Sequence, residues 1–171
     1  DYGLDMLAAL WIAQSPDGHS VVYRELYRPG LIISDAAAQI LACETAGERI
    51  DCRLAPPDLW NRRQETGRSA VELFADSGLD FVKSSNERVA GWLALHELLM
   101  PRKDTDGAVR PRLTIFDTCH NLIRTLPALQ HDKRNPSDTA NTPHELTHAP
   151  DALRGYAATV YEPVKAVPQS A

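Results

Sequence analysis

Strand-like and helix-like segments alternate along the whole chain, and this alternation restricts the fold more than any single motif does. Residues 6–13 form a continuous apolar run, and residues 20–27 are rich in valine and tyrosine, so both segments favour strands. The turn formers at 15–18 (Ser-Pro-Asp-Gly) should join them as an antiparallel hairpin. The later strands are separated by helices, and helical crossovers join parallel strands. The sequence therefore predicts an α/β fold, with a mixed sheet of antiparallel hairpin strands and parallel strands flanked by helices.

Capping residues and apolar positions locate the later elements. Ser34 is expected to cap the first helix, Ser69 a short helix that ends near Asp76, and Asn86 a longer helix. The apolar residues predicted to face inward on that longer helix are Val89, Trp92, Leu93 and Leu98. The remaining predicted elements are strands at 49–54, 79–82 and 113–116, a hairpin turn at 106–107, and helices at 119–126 and 150–161.

Size and composition limit the classes of protein to which the chain can belong. A chain of 171 residues is expected to form one domain with a substantial core. Its net charge of −5 excludes a globally basic surface, so nucleic-acid contacts would need a local patch. Cys43, Cys52 and Cys119 lack metal-binding spacing and predict reduced thiols in an intracellular protein. No apolar run reaches the roughly 20 residues that span a membrane, which predicts no membrane association.

Three aspartates stand at positions where the predicted elements could bring them together. Asp1 opens the chain, Asp58 follows the strand at 49–54, and Asp151 lies in the first turn of the last helix. If the strands that carry Asp1 and Asp58 are parallel neighbours, their ends converge, and the last helix can add Asp151. Three carboxylates suit Mg²⁺ or Mn²⁺, and two such ions can support phosphodiester hydrolysis. Taken alone, each aspartate is better explained as a cap or a turn residue.

A second pattern points to a different chemistry. His144, Glu145 and His148 spell H-E-x-x-H, which on a continuous helix holds zinc with the glutamate as general base. This pattern predicts a zinc metallopeptidase as an alternative function. The only further ligand downstream is Glu162, near the end of the chain.

The surroundings of that pattern weaken the zinc interpretation. Pro143 and Pro150 bracket it, whereas a zinc-binding helix should continue through it. Thr142 and Glu145 instead predict a capping box. His148 then becomes a candidate supporting residue that orients a carboxylate or a metal-bound water near Asp151, with an exposed and inert histidine as the alternative.

A group of basic residues lies in the middle third of the chain. Its members are Arg62, Arg63, Arg68, Lys83 and Arg88, and further basic residues surround the hairpin at 101–112. They predict a local track for DNA phosphates beside the carboxylates. A solvated face with scattered ion pairs explains them equally well. A non-catalytic module that docks on DNA or on a partner protein is therefore a further alternative.

Several segments, in the same order along the chain, resemble the C-terminal nuclease domain of the large terminase subunit, the DNA-packaging motor of tailed phages. The segments that carry this resemblance are residues 1–3, 55–63, 67–69, 85–92, 113–116, 135–138 and 148–154. The resemblance implies a ribonuclease H-like nuclease domain over residues 1–161, with a flexible tail at 162–171. It implies an endonuclease that cuts concatemeric double-stranded DNA with two divalent ions, Mg²⁺ or Mn²⁺.

Site residues and partners are also implied by this resemblance. Position by position, the catalytic and metal-binding residues would be Asp1, Asp58 and Asp151. Thr147 stands where an acidic residue is common in the family, and Asp138 is a candidate supporting carboxylate from the preceding loop. The expected partners are viral DNA, the portal protein and the small terminase subunit, in the cytoplasm of a bacterial host. In the non-catalytic alternative, the chain would dock on DNA or on the portal ring.

The chain is also expected to be a fragment of a larger protein, because it begins at Asp1 without an initiator methionine. It contains no G-x-x-x-x-G-K-[ST] phosphate loop. The ATPase of a packaging motor is therefore expected to lie outside this sequence.

Overall fold

A three-stranded mixed sheet forms the centre of the structure, a computed structural model that describes residues 1–104 and 106–161. Strands β1 (Leu7–Gln14) and β2 (Ser20–Arg28) form the antiparallel hairpin, as the turn at 15–18 predicts. A third strand, which we label β7 (Leu113–Ile115), pairs with β2 in the parallel direction. The chain is therefore α/β with a mixed sheet.

Four shorter strands lie outside this sheet. Strands β3 (Leu54–Ala55) and β4 (Val82–Lys83) pair in parallel, and β5 (Arg102–Lys103) and β6 (Val109–Arg110) form the hairpin expected around residues 106–107. The helices, in chain order, are α1 (Ile33–Cys43), α2 (Ala70–Asp76), α3 (Arg88–Leu99), α4 (His120–Thr125) and α5 (His148–Val160).

A bulge in β2 distributes the side chains of the hairpin between two cores. Trp11 pairs with Arg24 and Ile12 with Val22, so Tyr23 has no partner in β1. Val22 and Leu26 would face the same side in a regular strand, because they are four residues apart. The extra residue reverses the alternation, so Val22 enters one core and Leu26 the other.

Each face of the hairpin is covered by helices. Leu7, Trp11 and Leu26 pack with the inner residues of α1 and α2, among them Ile40 and Phe74. On the opposite face, side chains from β1, β2 and β7 pack with α3, α4 and α5. These residues are Ala8, Val22, Ala94, Leu95, Leu98, Leu113, Leu122 and Leu153. The result is a layered arrangement in which α5 lies against β1 and α3.

The capping box at Ser69 is confirmed. The Ser69 hydroxyl accepts from the Glu72 backbone N–H at 3.4 Å, and the Glu72 carboxylate accepts from the Ser69 backbone N–H at 2.7 Å. Because both bonds are local, four residues of sequence are enough to specify this helix start.

Other local predictions are wrong. Asn86 does not cap α3, because Glu87 is the residue before this helix and no side chain caps it. Ser34 lies inside α1, whose first residue is Ile33. Thr142 does not cap a helix, since a 3₁₀ helix spans His144–Leu146 after Pro143 with no side-chain cap. The inner face of α3 is also different from the prediction: Val89 and Leu93 are exposed, and the buried residues are Gly91, Ala94, Leu95 and Leu98.

The expected tail at 162–171 lies outside the described residues, as does Glu162. The three cysteines are free thiols, and Cys119 is buried. Within the described ranges, no helix has both the length and the apolar character needed to cross a membrane.

Candidate active site

Asp1 is fixed at the edge of the central sheet by its backbone. Its nitrogen donates to the Ala8 carbonyl and its carbonyl accepts from the Ala8 N–H, both at 2.9 Å. Tyr2 continues the antiparallel pairing as a bridge to Leu7. The chain before β1 therefore begins as a short extended segment beside that strand, and the Asp1 side chain lies at its end.

His148 holds the Asp1 carboxylate. Its Nδ1 lies 2.8 Å from Asp1 Oδ2, and its Nε2 lies 3.3 Å from Asp5 Oδ2. The imidazole is nearly buried, because His148 is the first residue of α5 and faces the β1 edge. The interpretation of an exposed, inert histidine is wrong. His148 does orient a carboxylate, but the carboxylates it contacts are Asp1 and Asp5.

Asp58 lies just beyond β3. Pro56 and Pro57 end the strand, because proline cannot donate to the ladder, and a 3₁₀ helix follows at Pro57–Trp60. Asp58 is exposed, and no described side chain donates a hydrogen bond to its carboxylate. Its oxygens are thus accessible to a ligand that enters from solvent.

Asp151 is placed by the first turn of α5 and held by two arginines. Its Oδ1 accepts from Arg88 Nη1 at 3.1 Å and from Arg154 Nε at 2.9 Å. Arg154 follows Asp151 by one helical turn, so this contact is set by helical spacing. Within the described part of the chain, no hydrogen bond to Oδ2 of Asp151 is formed.

Asp138 joins the same network through Arg88. Arg88 Nε lies 3.2 and 3.0 Å from the two oxygens of Asp138, and Trp92 Nε1 donates to Oδ1 at 2.9 Å. Burial is the largest single influence and opposes ionisation of Asp138. The hydrogen bonds from Arg88, the Thr139 backbone N–H and Trp92, together with the charge of Arg88, outweigh burial and lower the pKa of this carboxyl below its usual value. Asp138 therefore acts on Asp151 indirectly, by fixing the arginine that both carboxylates share.

Asp1, Asp58 and Asp151 line one cavity of about 710 Å³, together with Arg88 and Arg154. The electrostatics agree with this proximity. Burial lowers the pKa of the Asp1 α-ammonium to about 6, while the charges of Asp151 and Asp58 act in the opposite direction. Both carboxylates are therefore close enough to act on the same nitrogen.

The donor chemistry of this cavity suits a hard divalent cation, because all three predicted ligands are carboxylates. The three carboxylates do not converge on one point. Among the described residues, no group of three His, Cys, Asp or Glu side chains is arranged to hold a metal ion. Asp1 and Asp151 instead use oxygens for His148, Arg88 and Arg154. Binding of a cation would need at least one of these contacts to change.

The basic residues predicted to contact DNA have different surroundings. Arg88 is engaged with Asp138 and Asp151, and Lys83 lies over the Trp60 ring at 5.1 Å. Arg62 and Arg68 form exposed ion pairs with Glu72 and Asp76 at 3.2 and 2.6 Å.

Only part of this basic group borders the carboxylates directly. A second crevice of about 280 Å³ lies beside Asp58 and includes Arg62 and Arg63. These two arginines are therefore the members of the group best placed to meet a phosphate near Asp58.

The H-E-x-x-H residues do not lie on one helix. His144 belongs to the 3₁₀ helix His144–Leu146, whereas His148 begins α5. The two rings stack with centroids 6.3 Å apart, and both ring nitrogens of His148 face carboxylates. The geometry that a zinc-binding helix requires is therefore not formed.

Two residues of the site, Asp5 and Arg154, make contacts that the sequence did not predict. Asp5 contacts His148, a long-range contact that leaves no local signal. Arg154 is almost fully buried, its guanidinium lies 5.8 Å from the Trp92 ring, and its Nη1 has no hydrogen-bond partner among the described residues. The contact of Arg154 with Asp151 could have been identified from the sequence, because residues three apart on a helix are neighbours on its surface.

Comparison with models of protein families, with curated proteins and with solved structures gives no match to this chain.

Proposed function

We propose that this chain is the ribonuclease H-like nuclease domain of a viral DNA-packaging terminase, a metal-dependent endonuclease that hydrolyses concatemeric double-stranded DNA. The observation that carries the proposal is that Asp1, Asp58 and Asp151 line the same cavity although they are far apart in sequence. The mixed α/β sheet is compatible with such a fold.

The proposed chemistry assigns a role to each residue around the cavity. Asp1, Asp58 and Asp151 would provide the oxygen ligands for two Mg²⁺ or Mn²⁺ ions. When bound, such ions lower the pKa of an attacking water and stabilise charge on the phosphate. His148 positions Asp1, while Arg88 and Arg154 position Asp151. The positioning of these carboxylates by buried partners would limit their motion during the reaction.

DNA would approach from the exposed side of Asp58. Arg62 and Arg63 border the crevice there, and their charge would attract phosphates to a protein whose net charge is −5. The wider partners proposed with this function are the portal protein and the small terminase subunit, in the cytoplasm of the infected bacterium.

The two alternative functions, a zinc metallopeptidase and a non-catalytic docking module, require different groups of residues. The zinc metallopeptidase would need His144 and His148 on one helix, and it would need nitrogens of His148 that now face Asp1 and Asp5. A non-catalytic module that docks on DNA would use Arg62 and Arg63 and would not need the three aspartates. Cleavage assays on carboxylate variants distinguish the nuclease from both alternatives.

The test is nicking of supercoiled plasmid DNA in the presence of Mn²⁺. Asp58→Asn and Asp151→Asn preserve side-chain shape and remove a carboxylate, so each should reduce the rate on the order of 100-fold or more. Asp117→Asn is the matched control, since Asp117 is exposed and does not line the cavity.

Two outcomes would contradict the proposal. Nicking at the wild-type rate by both cavity variants would show that these aspartates do not form the site. Unchanged DNA binding by all variants, without cleavage by the wild-type protein, would favour the docking module.

A further inference from the structure

Helix α3 carries apolar side chains on its outer face as well as on its inner face. The inner face packs against α5 and β7. On the outer face, the exposed residues are Val89, Leu93, His96 and Met100, which we call the outer stripe. The three apolar members leave 42, 60 and 41% of their surface exposed, in chain order. This stripe is therefore a continuous, largely apolar surface along the helix.

The members of the outer stripe have the spacing of a contact between helices. They follow one another at intervals of four, three and four residues. With 3.6 residues per turn, these intervals confine the four side chains to an arc of roughly 60°, centred opposite the buried face of the helix. Alternation of three and four is the spacing of the apolar seam in a coiled coil. The outer stripe is thus suited to pack against another helix.

The composition of α3 is that of a buried helix. Between Arg88 and Glu97 it has no Asp, Glu, Lys or Arg. A helix on the surface of a domain normally has charged and polar residues on its outer face, and a helix that is apolar all round is normally buried. Within the described part of the chain, the outer stripe stays uncovered. A further apolar surface is therefore expected to cover it.

The charges at the two ends of α3 identify the kind of surface. Glu87 precedes the helix, and Arg102 and Lys103 follow it, and all three are exposed. In an antiparallel pair of α3 helices, the acidic start of each helix would meet the basic end of the other. In a parallel pair, like charges would meet. The outer stripe is therefore complementary to itself, which favours a second copy of this chain over an unrelated helix.

We propose that the outer stripe is a dimer interface, in which α3 packs antiparallel against α3 of a second copy around a twofold axis. In the register that aligns the oppositely charged ends, Val89 lies opposite Met100 of the other copy and Leu93 lies opposite His96. The twofold axis repeats each of these contacts. No residue of the outer stripe lines the cavity of the three aspartates, so this inference does not depend on the proposed function.

The size of the interface sets the expected strength of the dimer. A helix of 12 residues is about 18 Å long. One pair of such helices buries less than the roughly 800 Å² per partner that is usual for a stable complex. We therefore expect a dimer whose population depends on protein concentration.

The test is sedimentation equilibrium of the chain between about 10 μM and about 1 mM. The average mass should rise with concentration from 18.9 kDa towards twice that value. Leu93→Glu places two carboxylates close to the twofold axis and should weaken self-association at least about tenfold. Leu41→Glu is the matched control, because Leu41 is an exposed leucine of α1, on the other face of the hairpin. It should leave self-association unchanged.

The antiparallel orientation has a test of its own. Lys103 is used here because Arg102 is engaged with Glu97. Glu87→Lys and Lys103→Glu should each weaken self-association about twofold to fivefold, and the two changes together should restore it. In a parallel pair the two residues would be at opposite ends of the interface, and the combined variant would not recover.

Three results would overturn the proposal. The first is a constant mass of 18.9 kDa over the whole concentration range. The second is equal weakening by Leu93→Glu and Leu41→Glu, which would place the contact elsewhere. The third is a combined charge variant that remains as weak as the single variants, which would exclude the antiparallel pair. Circular dichroism verifies the fold of each variant, and Met100→Glu replaces Leu93→Glu if the latter does not fold.

Discussion

Substitution of Gly91 by alanine tests how closely α3 and α5 approach each other. A Cβ atom at this position would lie 2.8 Å from Arg154 Cγ, 3.1 Å from Ala158 Cβ and 3.3 Å from the Arg154 carbonyl oxygen. The Arg154 guanidinium is held by Asp151, so its stem cannot swing away without loss of that contact. The two other neighbours belong to the framework of α5, and they can retreat only if the helices separate.

The magnitude follows from two opposing effects. Glycine to alanine in a helix interior stabilises by about 1 kcal/mol, whereas overpacking of a tight contact costs about 1–3 kcal/mol. Gly155→Ala is the matched control, because this glycine also lies in a helix. Its added Cβ would meet only Ser84, with Oγ at 3.5 Å and Cβ at 3.9 Å, which are ordinary contacts. We therefore expect Gly155→Ala to be stabilised and Gly91→Ala to be less stable than this control by about 1–3 kcal/mol.

Urea unfolding followed by circular dichroism measures both variants, and thermal melts provide a second readout of about 2–4 °C per kcal/mol for a chain of this size. The outcome that refutes the reasoning is an equal free energy of unfolding for the two variants. In that case the helices either are not in close contact at Gly91 or separate without cost.

Two further predictions concern local hydrogen bonds. Ser69→Ala removes one bond of the capping box that begins α2 and should lower the free energy of unfolding by about 1 kcal/mol, measured by urea titration; no change would mean that the box is not formed in solution. Glu48 accepts hydrogen bonds from Tyr23 and Arg24, which lower its pKa from 4.5 to about 2. Its folded-state pKa is depressed, so the stability it contributes is present above pH 4.5 and is lost as the pH falls towards 2. Glu48→Gln should flatten the pH dependence of unfolding in this interval, and an unchanged slope would contradict the assignment.

Elements specified by adjacent residues were predictable from the sequence. The hairpin of β1 and β2 follows from a turn of four residues between two strand-forming segments, and the start of α2 follows from Ser69 and Glu72. In both cases the interactions that define the element lie within a few positions. Local patterns contain all the information that such elements need.

The inner face of α3 could not be predicted in this way. The helix has apolar residues of its own on all sides, so hydrophobic periodicity alone does not identify which face is buried. The contact with α5 is made at Gly91, where the absence of a side chain lets the helices approach. Val89 and Leu93 are consequently exposed, although they are more apolar than Gly91 and Ala94, which are buried.

At the candidate site, too, some features could be predicted from the sequence, whereas long-range contacts could not. The sequence predicted Asp1, Asp58 and Asp151 as one group, and the structure places them around one cavity. It did not predict that His148 contacts Asp1, because 147 positions separate them and Asp151 is the nearer carboxylate in sequence. The contacts of Arg88 with Asp138 and Asp151 were hidden for the same reason, since a basic residue in a sequence does not reveal whether its partner is a phosphate or a carboxylate.

The start of α4 depends on a side chain from a distant strand. Glu25 of β2 accepts from the backbone N–H groups of Asn121 at 2.7 Å and Leu122 at 3.0 Å, and also from the Asn121 side chain. A helix of six residues is marginal alone, because nucleation is costly. The consequence concerns folding: α4 has this cap only where β2 lies beside it, so we expect the helix to form together with its packing on β2 and not before it.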